Sequence, residues 1–259
     1  MVHQHELSVA TCRRSLTRVA YFAADLPSDL VEQLWRDPLS LTKTAKTLQR
    51  TGLRHTMRVT SESRDYVIKH YQPSWWHAMR QLTTRSCASA TYIATHKLAD
   101  AGISTPRPVA CVENRWGMLR RDSFLIYPYV EGRTLRSYFS RDAKESRTIA
   151  DNLWKQLRGL WRQLEDLKAS LADTNTGNFV VSPAGELWVI DLDKARFHHL
   201  PKAAVRNQQR GWQQLLRSAA KCQKVNARDA SPLNGMMRQS RAQKFNHLHS
   251  GSRTVIAVE

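Results

Sequence analysis

From residue 146 to residue 168, Ile149, Leu153, Leu157, Leu160, Trp161, Leu164 and Leu167 recur largely at spacings of three and four, which predicts an amphipathic helix with one buried face. Earlier in the chain the period is different. Residues 53 to 60 and 65 to 71 alternate apolar with polar around Ser61-Glu-Ser-Arg64, the pattern of two antiparallel strands joined by a turn, with Lys69 on the second strand. Trp75 to Ala101 returns to helical spacing with a break near Thr83 and Thr84, and Gly102 closes it ahead of Pro106 and Pro108. Val109 to Glu113 and Phe124 to Val130 read as two more strands, followed by a turn at Glu131-Gly132. Ser28 or Asp29 suits the cap of a short helix within Asp25 to Pro38. Val205 to Ala220, with Trp212, Leu215 and Leu216 on one face, predicts another helix. The sum is an α+β chain in which four or five strands and one long helix precede a mainly helical half.

The most informative stretch lies between the last two helices. It runs Asp173-Thr-Asn-Thr-Gly-Asn178-Phe-Val-Val-Ser-Pro-Ala-Gly-Glu-Leu-Trp188-Val-Ile-Asp191-Leu-Asp193. An Asp five residues before an Asn, a short apolar strand, a Pro-Ala-Gly turn and a second apolar strand ending in Asp make the arrangement that phosphoryl transfer needs. Asp173, projected from a loop after the Leu-rich helix, would orient an acceptor hydroxyl and take its proton. Asn178 and Asp191 offer oxygen ligands for Mg²⁺; Asp193 could join that cluster or cap the next segment of chain. Val67-Ile-Lys69 within a strand suits a lysine that meets the α- and β-phosphates of ATP. A kinase site of this kind implies a two-lobed fold. The expected division is an N-terminal extension over 1–50, a small antiparallel-sheet lobe over 51–132, a mainly helical lobe over 133–222 and a basic tail over 223–259.

Charge narrows the partners. The 259 residues carry a formal net charge of +18, enough to expect an anionic one. Trp75 and Trp76, with Arg80, Arg85 and Lys97 and no acidic residue among them, could dock on an anionic membrane surface. A second cluster, Arg120, Arg121, Arg133, Arg136 and Arg141, surrounds the connection between the expected lobes. From Lys202 to Arg253 the only acid is Asp229, which suits anionic lipid. Aromatics are too sparse there for base stacking, so no specific nucleic acid is expected. Cys12, Cys87, Cys111 and Cys222 are scattered without a CxxC pair, so reduced thiols are expected rather than disulfides or a zinc site. No basic segment followed by an apolar run opens the chain, and no run of about 18 apolar residues occurs. The expectation is a protein neither secreted nor membrane-spanning.

With these residues assembled, the chain resembles the lipopolysaccharide core kinases, the Kdo and heptose kinases of WaaP type, over roughly Arg58 to Trp212. Leu98-Ala-Asp-Ala-Gly-Ile-Ser-Thr-Pro-Arg-Pro-Val109 is similar to that family's helix end and linker, Phe124-Leu-Ile-Tyr-Pro-Tyr-Val-Glu-Gly132 to its hinge strand, and Asp173 to Phe179 with Trp188 to Asp193 to its catalytic and metal loops. The resemblance implies ATP- and Mg²⁺-dependent phosphorylation of a sugar hydroxyl of the lipopolysaccharide inner core, at the cytoplasmic face of the inner membrane. Three features depart from the pattern. Leu171 stands where the family has His, no Asp or Glu occurs between Tyr66 and Ala99 to pair with Lys69, and Gly52 is the only glycine near the expected phosphate loop. Another small-molecule kinase of the same fold, or a pseudokinase scaffold binding anionic lipid or a protein, therefore remains open as an alternative.

Overall fold

The computed structural model describes residues 9–72, 85–117, 119–139 and 146–223. Seven strands form one antiparallel sheet: β1 (Val9–Arg14), β2 (Arg18–Ala23), β3 (Lys46–Thr51), β4 (Arg54–Ser61), β5 (Arg64–Tyr71), β6 (Ala110–Trp116) and β7 (Leu119–Pro128). Their spatial order is β1-β2-β6-β7-β5-β4-β3. The hairpin of β4 and β5 forms where the alternation predicted it. Glu62 and Ser63, with φ of 46° and 62°, make the two-residue turn whose twist matches paired strands.

Alternation along these strands gives the sheet two apolar faces. Met57, Val59, Tyr66 and Ile68 join Phe22, Phe124 and Ile126 under α1 (Ser28–Arg36) and α2 (Ser40–Thr44), which add Leu30, Leu34 and Leu41. On the other face Tyr71, Cys111, Leu125 and Tyr127 pack against Ala88 and Tyr92 of α3 (Cys87–Asp100). The Ser86 side chain accepts from the Ser89 amide and caps α3. Trp75, Trp76 and Arg80, in the first half of the helix expected over 75–101, lie outside the described residues, as do Arg141 and the tail from residue 224.

The sheet exceeds the four or five strands expected. It also takes β1, β2 and β3 from before residue 51, where the small lobe was expected to begin. β3 is exposed at every position, so its residues carry no burial alternation. Strand β7 starts at Leu119 rather than Phe124 because Arg120 and Leu119 continue the pairing with Arg115 and Trp116.

The second half is mainly helical. It holds α4 (Leu135–Phe139), α5 (Ser146–Asp166) and α6 (Pro201–Gln223). Leu153, Leu157, Leu160 and Leu164 of α5 meet Leu215, Leu216 and Ala219 of α6 around Phe179. Ile149 is 47% exposed, so the buried face of α5 begins one turn later than its spacing suggested. Trp212 sits edge-on to Trp161, ring centroids 4.8 Å apart. Two short sheets complete this half: β8 (Arg133–Thr134), β10 (Phe179–Val181) and β11 (Leu187–Val189) in the order β11-β10-β8, and β9 (Ala169–Ser170) with β12 (Arg196–Phe197). Where the chain passes between the halves, Gly132 has φ +149° and a Cβ there would collide with the Val181 carbonyl, so only glycine fits. Small antiparallel-sheet lobe and helical lobe together are the expected two-lobed α+β fold. No helix among the described residues is long and apolar enough to cross a membrane.

Candidate active site

Lys69 occupies β5 opposite Leu125 of β7, so the central strands fix its backbone while the side chain crosses to the other lobe. Its Nζ lies 2.8 Å from Asp191 Oδ1 and 3.0 Å from Asp193 Oδ1. Asp193, only 6% exposed at its side chain, also accepts the Tyr71 hydroxyl at 2.8 Å and the Arg54 guanidinium at 3.3 Å. Burial works against the charged form of Lys69, but the two carboxylates outweigh it and hold its pKa above the ordinary lysine value. The same balance operates on Asp191, where burial would raise the pKa and the Lys69 charge holds it below the usual carboxylate range. Burial and the nearby Asp193 charge push the Tyr71 phenol well up, so it donates as a neutral hydroxyl.

The charge partner that α3 lacks is thus supplied from the end of β11. Thr91, at about the position where the family pattern puts a glutamate, is buried, and its hydroxyl makes no hydrogen bond among the described residues. Asp193 as a partner of Lys69, and Arg54 and Tyr71 as partners of Asp193, are groups the sequence pattern did not identify. The Asp-x-Asp spacing was the available signal for Asp193. Arg54, directly after the Gly52 turn, gave none.

Asp173 sits in the loop after β9, with its side chain held from two directions. Asn175 Nδ2 donates to Asp173 Oδ1 at 2.9 Å, and Gln214 Nε2 of α6 approaches the same oxygen at 3.3 Å. Asn175 also caps the 3₁₀ turn Thr176–Asn178 by accepting from the Gly177 amide at 2.8 Å. One face of α6 grips this loop. Thr174 bonds the Gly211 carbonyl, the Thr176 amide donates to Ser218 Oγ at 3.0 Å, and Gly211 lets the helix approach the Leu171 carbonyl. Residues 211, 214 and 218 are three and four apart, so they line one stripe beside the apolar one. Leu171 itself is buried in the helical-lobe core. An apolar anchor and the α6 stripe therefore steady the loop where the family pattern has a histidine.

Asn178 and Asp191 are brought together by the β10–β11 pairing: Phe179 faces Val189, and the Ile190 amide donates to the Asn178 carbonyl at 3.0 Å. Asn178 commits its amide nitrogen to the Asp173 carbonyl at 3.0 Å, which leaves its side-chain oxygen for a cation. Asp191 keeps 31% of its side chain exposed. An amide oxygen and a part-exposed carboxylate suit Mg²⁺, which takes one or two protein oxygens and completes its shell with phosphate and water. Among the described residues no three His, Cys, Asp or Glu converge on one point.

Beside the interlobe connection a cleft of about 480 Å³ is lined by Arg58, Tyr129, Glu131, Gly132, Arg133 and Tyr138 together with Val181 to Pro183. The Arg58 guanidinium lies 4.1 Å from the Tyr129 ring centroid and pairs with Asp65. His198 places Nε2 2.7 Å from Ser170 Oγ and ties β12 to β9.

Three comparisons bear on this site. The sequence profile of the lipopolysaccharide kinase (Kdo/WaaP) family matches residues 32–235. Proteins named 3-deoxy-D-manno-octulosonic acid kinase are similar to part of the chain. The one from Vibrio cholerae is 26% identical over 103 residues, 40% of this chain and 42% of the relative, and the one from Photobacterium profundum is 28% identical over 111 residues, 43% and 44%. The chain thus spans about half the length of the curated relatives it matches or less. A solved structure of WaaP in complex with acyl carrier protein superimposes with a TM-score of 0.59 at 18% identity, covering 86% of this chain and 98% of that one. At that identity the likeness speaks for the fold.

Proposed function

The chain belongs to the lipopolysaccharide kinase (Kdo/WaaP) family, and from that membership and the geometry of its cleft we propose an ATP- and Mg²⁺-dependent phosphotransferase acting on a sugar hydroxyl of the lipopolysaccharide inner core. The relatives named as 3-deoxy-D-manno-octulosonic acid kinases favour Kdo over heptose as the acceptor. Work on a lipid-borne sugar core places the enzyme at the cytoplasmic face of the inner membrane. The observation that carries the reading is the clasp of Lys69 from the sheet lobe on Asp191 and Asp193 of the helical lobe, beside the loop that holds Asp173.

Each residue then has a task. Asp173 orients the acceptor hydroxyl and takes its proton as the oxygen attacks the γ-phosphorus, and the bond to the β-phosphate oxygen breaks in line. Lys69 shifts from Asp191 onto the α- and β-phosphates of ATP and keeps its pairing with Asp193, which Tyr71 and Arg54 hold in place. The adenine sits against the connecting segment Tyr129 to Gly132, with the lobes dividing at Gly132 and Arg133. Mg²⁺ held by Asn178 and Asp191 would offset the charge of the phosphates.

The test offers ATP and Mg²⁺ with three acceptors, a Kdo-bearing lipid A, a heptose-bearing core and an aminoglycoside, and reads products by mass spectrometry. One phosphate gained by the Kdo glycolipid is the expected result. Transfer to the aminoglycoside alone would indicate a different small-molecule kinase, and nucleotide binding without transfer to any acceptor a pseudokinase scaffold.

A further inference from the structure

Among the described residues the two most exposed large hydrophobic side chains are Leu16, at 94%, and Trp116, at 71%. Single exposed apolar residues need no explanation, but these two are neighbours. Leu16 lies in the β1–β2 turn and Trp116 at the end of β6, beside the β6–β7 turn. Strands β2 and β6 pair with Arg18 opposite Asn114, and the Arg115 amide donates to the Thr17 carbonyl at 2.7 Å. That bond carries the pairing one residue past Arg18, so the turn that holds Leu16 stands beside the end of β6 that holds Trp116.

The surroundings are as one-sided as the pair. Residues 13 to 18 and 114 to 121 contain Arg13, Arg14, Arg18, Arg115, Arg120 and Arg121 and no carboxylate. Two of these arginines have acidic partners, Arg13 with Glu32 and Arg115 with Glu113 at 2.6 Å, and the next acid, Asp122, lies 3.7 Å from His70; Arg14 and Arg121 are the exposed pair. A projecting aromatic and a leucine on turns that also carry the exposed Arg14 and Arg121 match the layering of an anionic bilayer, with phosphates outside and acyl chains beneath. A convex tip of this kind suits insertion into lipid better than the flat, packed contact of a protein interface.

Position strengthens the match. Tyr71 pairs with both Arg54 and Ser123, so the Gly52 turn beside the Lys69 clasp lies at the same end of the sheet as the Leu16 and Trp116 turns. The interlobe connection after Pro128 leaves from the opposite end. We infer that the β1–β2 and β6–β7 turns dock this protein on an anionic phospholipid surface, inserting Leu16 and Trp116 and setting arginines against lipid phosphates, so that the Gly52 end of the cleft faces the membrane. The orientation deepens the proposed function and rests on it for its purpose, although the lipid contact itself does not.

Vesicle co-sedimentation of the full chain tests this. Wild type should bind phosphatidylglycerol/phosphatidylethanolamine vesicles and bind phosphatidylcholine vesicles far less. L16S/W116S should lose binding to the anionic vesicles by roughly tenfold, with an unchanged melting temperature because both side chains are exposed. R14Q/R121Q, a second variant outside the catalytic site, should lose binding and shift its salt dependence. The basic tail is intact in both variants, so anionic binding equal to wild type would show that the tail or another face holds the membrane and overturn the proposal. Equal binding to neutral vesicles would do the same, and a soluble acidic protein captured by wild type and lost by L16S/W116S, with vesicle binding unaffected, would indicate a protein partner instead. Phosphate transfer to a deacylated, soluble core oligosaccharide should be unchanged by L16S/W116S while transfer to vesicle-embedded acceptor falls. If wild type transfers to neither acceptor yet binds anionic vesicles as expected, the kinase reading fails and the docking surface stands.

Discussion

In the proposed mechanism Asp193 holds Lys69 while Asp191 serves the metal, and a substitution can separate the two roles. Asp193→Asn removes one charge at 3.0 Å from Nζ and leaves Asp191 at 2.8 Å. Its expected effect is a fall in kcat of roughly 10- to 100-fold, of the order seen when a positioning contact is lost, with the Mg²⁺ dependence of nucleotide binding retained. Asp191→Ala should do the converse. ATP should no longer raise the melting temperature more with Mg²⁺ than without it, and a wild-type-like metal effect would show that the ligand is misassigned. A pH effect belongs to His96. Burial lowers its pKa below the ordinary value, although its Nε2 donates to the Pro108 carbonyl at 3.1 Å. Native protein therefore binds fewer protons than the unfolded chain once pH falls below about 6.5, and stability must drop on that side while staying flat above it. Thermal melts between pH 5 and 8 read this directly, and His96→Gln, which keeps a donor, should flatten the acid side.

Helix α6 does more for the chemistry than its apolar face suggests. Gly211, Gln214 and Ser218 hold the Asp173 loop, and a Cβ at residue 211 would come within 2.9 Å of the Leu171 carbonyl. Gly211→Ala should gain about 1 kcal/mol of helix propensity while pushing the loop away. The melting temperature should change little and kcat should fall by roughly 100-fold; unchanged turnover would mean that the helix does not position the loop. The sequence showed that α6 exists, from Trp212, Leu215 and Leu216, because burial writes a period into one chain segment. It did not show the polar stripe, since the hydrogen-bonding side chains and the loop they hold are 37 to 42 residues apart. Strand β3 was hidden for a related reason: it is wholly exposed, and a strand recognised only through its neighbours leaves no alternation to read.

Across the whole molecule, legibility follows contact distance along the chain. Asp173, Asn178 and Asp191 share one contiguous motif, and β10–β11 pairing brings them together locally. Lys69 meets its carboxylates across 122 and 124 residues, and Arg54 meets Asp193 across 139. The missing helix carboxylate was visible in the sequence as a gap, and only the fold shows which group fills it. The two lobes are thereby joined through charges that the proposed ATP binding would rearrange. The most direct measurement of the central claim is the initial rate of phosphate transfer from ATP to a soluble Kdo-containing core oligosaccharide in the presence of Mg²⁺, for wild type and Asp173→Ala side by side, each with its melting temperature. Wild-type turnover that falls by at least roughly 100-fold in a variant of unchanged stability is the predicted result. Equal rates in the two proteins, or no transfer by a wild type that still binds ATP, would contradict it.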